Sequence, residues 1–158
     1  MFQLSTGYIY LVRANTELRE DWTHLMASFQ EIEHTADWAF QVRGRDFSEL
    51  LKNAALGIAE LEKWPGISGR EVTRHVQVVG NDRESLLVNW LNELLYLHEK
   101  HGEAYFVIEF IEATDTHLRA RIRGHKSAAP NRKIKAVTFH NIQIERNGGW
   151  NATIVVDV

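Results

Sequence analysis

Two acids sit at the tips of two predicted strands that are far apart in the chain. Asp37 closes the run His34-Thr35-Ala36-Asp37, and Asp157 stands in the final Val155-Val156-Asp157-Val158. Carboxylate and main-chain oxygens gathered from two strand ends are the ligand set of a hard cation such as Mg²⁺ or Ca²⁺. The alternative for Asp37 is a turn or capping aspartate before a strand. For Asp157 it is a solvated acid near the chain end, although its parity partners Asn151 and Thr153 put it on a polar strand face. His34 and His140 are acid–base candidates because imidazole titrates near neutrality, but neither has a sequence partner that marks it out. Lys126, Arg132, Lys133 and Lys135 cluster in and beside the segment 124–132, a candidate contact for a nucleotide or an acidic partner.

The elements that must position these residues follow from periodicity. Trp38, Phe40 and Val42 alternate with Ala39, Gln41 and Arg43, a half-buried strand. Asp46 with Glu49 three residues on opens a helix whose apolar face runs through Phe47, Leu50, Leu51, Ala54 and Ile58 to about Leu61. Trp64-Pro65-Gly66 opens a loop, and Val72, Val76 and Val78 mark a second strand. Asn81, with Glu84 at the third position, reads as the cap of a second helix lined by Leu87, Trp90, Leu91, Leu94 and Leu95. Gly102 ends that helix, with His98, Lys100 and His101 in its last turn. Strands follow at Phe106–Ile111 and through Leu118, Ala120 and Ile122. A polar loop is expected from Gly124 to Arg132, a long strand from Ile134 to Ile144, and a hairpin at Asn147-Gly148-Gly149. The order predicts an α+β fold, a mostly antiparallel sheet with two helices packed on one face.

Composition bounds the function. At 158 residues, one domain with a real core is expected. The absence of cysteine excludes thiolate metal sites and cysteine catalysis and suits a reducing, cytoplasmic setting. A net charge of −3 argues against stable nucleic-acid binding by the chain alone, so the Arg119, Arg121, Arg123 row reads first as the wet face of a strand. No apolar run reaches the roughly 18 residues that span a membrane. No Gly-Lys-Ser/Thr phosphate loop or G-x-S-x-G elbow is present. Residues 1–28 are expected to be an extension, with Met26 as a natural start, or else to add a strand or docking peptide from Tyr8 to Val12. Residues 29–158 then form the domain.

Five motifs in order carry a family resemblance. They are His34–Asp37, Asn53–Gly57 (N-A-A-L-G), Leu86–Tyr96 (L-L-V-N-W-L-N-E-L-L-Y), Lys135–His140 (K-A-V-T-F-H) and the terminal V-V-D-V. From Glu33 to Val158 the chain resembles the archease family. The resemblance implies a strand-helix-strand-strand type of α+β fold. It further implies a non-enzymatic activator that promotes guanylylation and multiple turnover of an RtcB-type RNA ligase in tRNA splicing, tRNA processing or RNA repair. By residue match it implies a divalent ion, Ca²⁺ or Mg²⁺ with Mn²⁺ also compatible, held by Asp37, Asp157 and a main-chain oxygen of Val158. Lys135 matches the family's ligase-activating position, with Lys126 and Arg132 as fallbacks. The loop from Gly124 to Lys133 is shorter than the family's and lacks its acids, and Phe139 replaces the commoner tyrosine. Two rival readings stand beside this one: a metal-dependent phosphoesterase acting on RNA ends with a histidine base, and a simple RNA-binding module using the arginine row.

Overall fold

The structure is a computed structural model that describes residues 29–33, 38–65 and 69–158. The readings on residues 1–28, including Met26 and Tyr8–Val12, and on His34, Asp37 and Gly66 fall outside the described residues.

The chain runs β1 (Phe29–Glu33), β2 (Trp38–Gly44), α1 (Phe47–Glu62), β3 (Glu71–Val79), α2 (Arg83–His101), β4 (Glu103–Ala113), β5 (His117–Lys126), β6 (Ala136–Val137), β7 (Gln143–Arg146) and β8 (Trp150–Asp157). The α+β class and the antiparallel pairing agree with the sequence reading. The strands divide between two sheets. One has the order β1-β2-β8-β6, with β7 also on β8, and the other the order β3-β5-β4. Each helix touches strands of both sheets: α1 meets β2, β8 and β4, while α2 meets β3, β4, β5, β6 and β7. The core therefore lies between helices and sheets, with Phe40, Leu50, Leu51, Ile58, Leu87, Trp90, Leu91, Ile122 and Ile154 buried in it.

Local chemistry accounts for the element ends. Asp46 caps α1 by accepting the N–H of Glu49 at 2.8 Å. Glu49 does not complete a capping box, because its carboxylate bonds Arg45 instead. The cap of α2 is Asp82 rather than Asn81. Its carboxylate takes the N–H of Ser85, and the Ser85 hydroxyl takes the N–H of Asp82, so the box closes one residue later than Asn81/Glu84 would allow. That main-chain hydrogen bond holds the Asp82 carboxyl below its usual range. Gly102 ends α2 in the left-handed conformation, where a glycine bears no Cβ penalty.

Two strand expectations change. The polar loop begins later, because β5 continues through Gly124 to Lys126. The strand expected from Ile134 to Ile144 is broken into β6 and β7. Asn141 adopts a left-handed φ of 51° and turns the chain between them, a conformation asparagine tolerates. Strand β1 is an addition to the elements that the sequence predicts. Its sequence Phe29-Gln30-Glu31-Ile32-Glu33 carries no two-residue apolar alternation, since Phe29 and Ile32 fall on opposite faces; only the pairing onto β2 marks it as a strand.

Candidate functional site

Strand β8 is the axis of the candidate site. By strand alternation Asn151, Thr153 and Asp157 share one face. On that face Asn151 and Thr153 line a polar trough with Gln41, Arg43, Gln143 and Glu145. Asp157 is the last residue of β8 and is exposed, as is Val158 after it. Both flanks of β8 are occupied here. On one side Trp38 pairs with Val156, and on the other Ala136 pairs with Asp157.

The lysine-bearing segment is drawn onto this tip by main-chain bonds. The N–H of Lys135 donates to the Asp157 carbonyl at 2.8 Å, and the N–H of Thr138 donates to the Val155 carbonyl at 3.0 Å. Lys135 is exposed and makes no ion pair among the described residues. The tip therefore joins Asp157, Val158 and Lys135. Asp37 and His34 lie outside the described residues; the residue that follows Asp37 in the chain is Trp38, opposite the residue that precedes Asp157. Among the described residues no group of three or more histidines or acids is placed to hold a metal ion. The donors present at the tip are oxygens, the type a hard divalent ion accepts.

The remaining candidates scatter. His140 is exposed on the turn between β6 and β7. Its main-chain N–H donates to the Thr138 hydroxyl, and its Nε2 lies 3.0 Å from the Asn141 side-chain amide. Arg132 packs its guanidinium 3.5 Å from the centre of the Trp38 ring and pairs with Glu31 at 3.0 Å. Lys133 pairs with Glu99 at 2.7 Å. Lys126 belongs to the other sheet, where its ammonium donates to the His101 carbonyl and lies 3.6 Å from Glu103. The four cations that are neighbours in sequence are thus distributed over four surroundings. In the arginine row, Arg119 pairs with Glu112 and Arg121 with Glu109, so much of that face neutralises itself.

Sequence reasoning missed the buried polar groups. Glu62 accepts the Trp64 indole N–H and lies 2.8 Å from His98 Nδ1, with all three side chains buried. Glu103 holds Arg74 through two hydrogen bonds of 2.6 and 2.9 Å and accepts the Tyr105 hydroxyl. The hydrogen-bonded Arg74 guanidinium holds the Glu103 carboxyl down to about 2, and burial raises the Tyr105 hydroxyl. Glu60 is buried with both carboxyl oxygens unbonded, and burial pushes it up to about 7. A signal was present: Glu62 lies four residues after Ile58, and His98 four after Leu94, so each falls on an apolar stripe.

Comparison with known proteins adds the family. The model of the Archease protein family matches residues 29–158. A Methanosarcina mazei protein named archease is 38% identical over 143 residues, covering 82% of this chain and 95% of that protein. The solution structure of Methanobacterium thermoautotrophicum protein 1598 superposes with a TM-score of 0.61 at 28% identity, covering 83% of this chain and 99% of that one. A Thermotoga maritima crystal structure described as an archease, possible chaperone, superposes with a TM-score of 0.62 at 24% identity, covering 82% and 96%.

Proposed function

The chain belongs to the archease family, and from that premise we propose that it is a metal-binding activator of an RtcB-type RNA ligase. The activity belongs to the domain 29–158. It promotes guanylylation of the ligase and its repeated turnover in tRNA splicing or RNA repair, in the cytoplasm.

The observation that carries the reading is the Lys135–Asp157 junction. An exposed carboxylate and an exposed lysine come from distant motifs and are tied by one main-chain hydrogen bond. Asp157, with Asp37 and a main-chain oxygen of Val158, would hold Mg²⁺ or Ca²⁺. That ion would supply charge to offset a triphosphate. Asp157 fixes negative charge at a strand end. Lys135, tied to Asp157 through its main-chain N–H, carries an exposed ammonium on the neighbouring segment, suited to a phosphate oxygen of a partner's nucleotide. Both act by positioning and charge, the means by which phosphoryl and nucleotidyl transfer are accelerated. The self-paired arginine row gives the rival RNA-binding reading little free charge.

The test is guanylylation of a purified RtcB-type ligase with GTP and divalent metal. Wild-type protein should accelerate it. Asp37→Ala and Asp157→Ala should lose that acceleration while keeping the fold. Undiminished stimulation by both variants overturns the mechanism. Absence of stimulation by the wild-type protein overturns the partner.

A further inference from the structure

Three polar side chains of the Leu86–Tyr96 motif on α2 reach main-chain groups of other elements. Asn89 donates to the Val79 carbonyl at the end of β3 at 2.8 Å. Trp90 donates its indole N–H to the Leu51 carbonyl of α1 at 3.0 Å. Asn92 makes two bonds to a single residue. Its Nδ2 donates to the Val137 carbonyl at 3.0 Å, and its Oδ1 accepts the Val137 N–H at 2.8 Å.

Such a pair of bonds is what one residue receives from its partner in an antiparallel ladder. Strand β6 is only two residues long and has β8 on one flank. The Asn92 side chain serves the other flank, in place of a further strand. Val137 is buried, so loss of the clamp would leave two main-chain groups without partners. Val137 also stands between the two anchors of the segment, the Lys135 bond to Asp157 and the Thr138 bond to Val155.

We infer that Asn92 is a positioning residue for the Lys135–Asp157 tip. It holds β6, and with it the preceding Lys135, in register on β8, and so sets where Lys135 stands relative to Asp157. The functional consequence rests on the ligase-activating reading; the positioning itself does not.

The experiment compares the full chain with Asn92→Leu, which removes both bonds, and Asn92→Asp, which keeps the acceptor and removes the donor. Asn89→Leu is the control, since it removes a bond of the same helix to a different strand. Main-chain amide exchange is read residue by residue, and ligase guanylylation is read alongside. In Asn92→Leu, exchange at Lys135, Val137 and Thr138 should quicken at least about tenfold relative to Ile154, with ligase stimulation falling about tenfold. Asn92→Asp should fall between, and Asn89→Leu should leave both readouts at the tip unchanged. If Asn92→Leu does not fold, Asn92→Asp carries the comparison. Unchanged exchange at Val137 in a folded variant overturns the clamp. Faster exchange with full stimulation overturns its role in activation. A wild-type protein without stimulation removes the ligase reading, and the exchange arm then decides alone whether Asn92 holds the tip.

Discussion

Nδ1 of His98 lies 2.8 Å from Oε2 of Glu62, and the same oxygen accepts the Trp64 indole N–H. One buried carboxylate oxygen thus joins the last turn of α2 to the end of α1 and the residue beyond its cap. The rings add a second layer: Trp64 meets His98 edge-on at 5.3 Å, and the Tyr105 ring packs tilted against His98 at 5.4 Å. Glu62→Ala strips two buried donors of their acceptor. It should destabilise the fold by about 2–4 kcal/mol, read as a lowered urea midpoint by tryptophan fluorescence. Glu62→Gln, which keeps an acceptor oxygen, should lose less.

Glu60 sets a slope in stability against pH. Burial raises its carboxyl from about 4.5 to about 7, with the Glu31 carboxylate adding and Lys63 opposing. The folded state therefore retains a proton that the unfolded chain releases near its ordinary value. Stability is greatest below that value, falls as pH rises toward 7, and levels off above it. Glu60→Gln should flatten this slope and raise stability at pH 8 by on the order of 2 kcal/mol, with little gain at pH 4. Parallel urea titrations of the two proteins at pH 4, 6 and 8 check the sign; an equal gain at all three would refute the ionisation account.

Glu103 gives the opposite slope at acid pH. The Arg74 guanidinium, through its two hydrogen bonds, holds the carboxyl down to about 2 from 4.5. The stability this supplies is complete above the ordinary value and is lost as pH falls toward 2. Arg74→Met should raise the Glu103 titration midpoint, observable by carboxyl carbon NMR, and should lower stability at pH 7 by about 3 kcal/mol because a buried carboxylate loses its hydrogen-bonded cation and keeps only the Tyr105 hydroxyl and the more distant Lys126.

Asp157 is exposed and makes its main-chain contacts through the carbonyl, so Asp157→Asn should leave the thermal midpoint nearly unchanged. On the metal-binding proposal, calorimetric titration with Ca²⁺ and Mg²⁺ should nonetheless show affinity reduced by at least about tenfold, since a charged oxygen donor has been made neutral. Equal affinity for the variant and the wild-type protein would remove Asp157 from the proposed ligand set.

Much of the architecture was legible because it is local. Alternation marked β2, β3, β5 and β8, and the Asn147-Gly148-Gly149 turn marked the β7–β8 hairpin. The motifs were legible as a family sign before their tasks were. In Asn53–Gly57, Asn53 bonds the Arg43 carbonyl at 2.7 Å. Gly57 lets the Phe29 and Phe40 rings approach to where a Cβ would stand 3.0 Å from each. Neither partner is near in sequence, so spacing alone could not reveal the contacts. The Asn81/Glu84 reading failed for a narrower reason. Two adjacent polar residues offered alternative caps, and only the Asp82–Ser85 geometry distinguishes them.

Side-chain types and their periods determined, by themselves, that α1, α2, β2, β3, β5 and β8 become helix or strand and which face of each is apolar, because those preferences act over one or two turns of chain. Where Lys126, Arg132, Lys133 and Lys135 end up was decided only by the tertiary structure. Their partners, Glu103, Glu31 with Trp38, Glu99 and the Asp157 main chain, come from five separate elements. A charge cluster in sequence carries no record of which distant acid will neutralise it; packing brings those acids within reach, and it leaves Lys135 exposed at the end of β8.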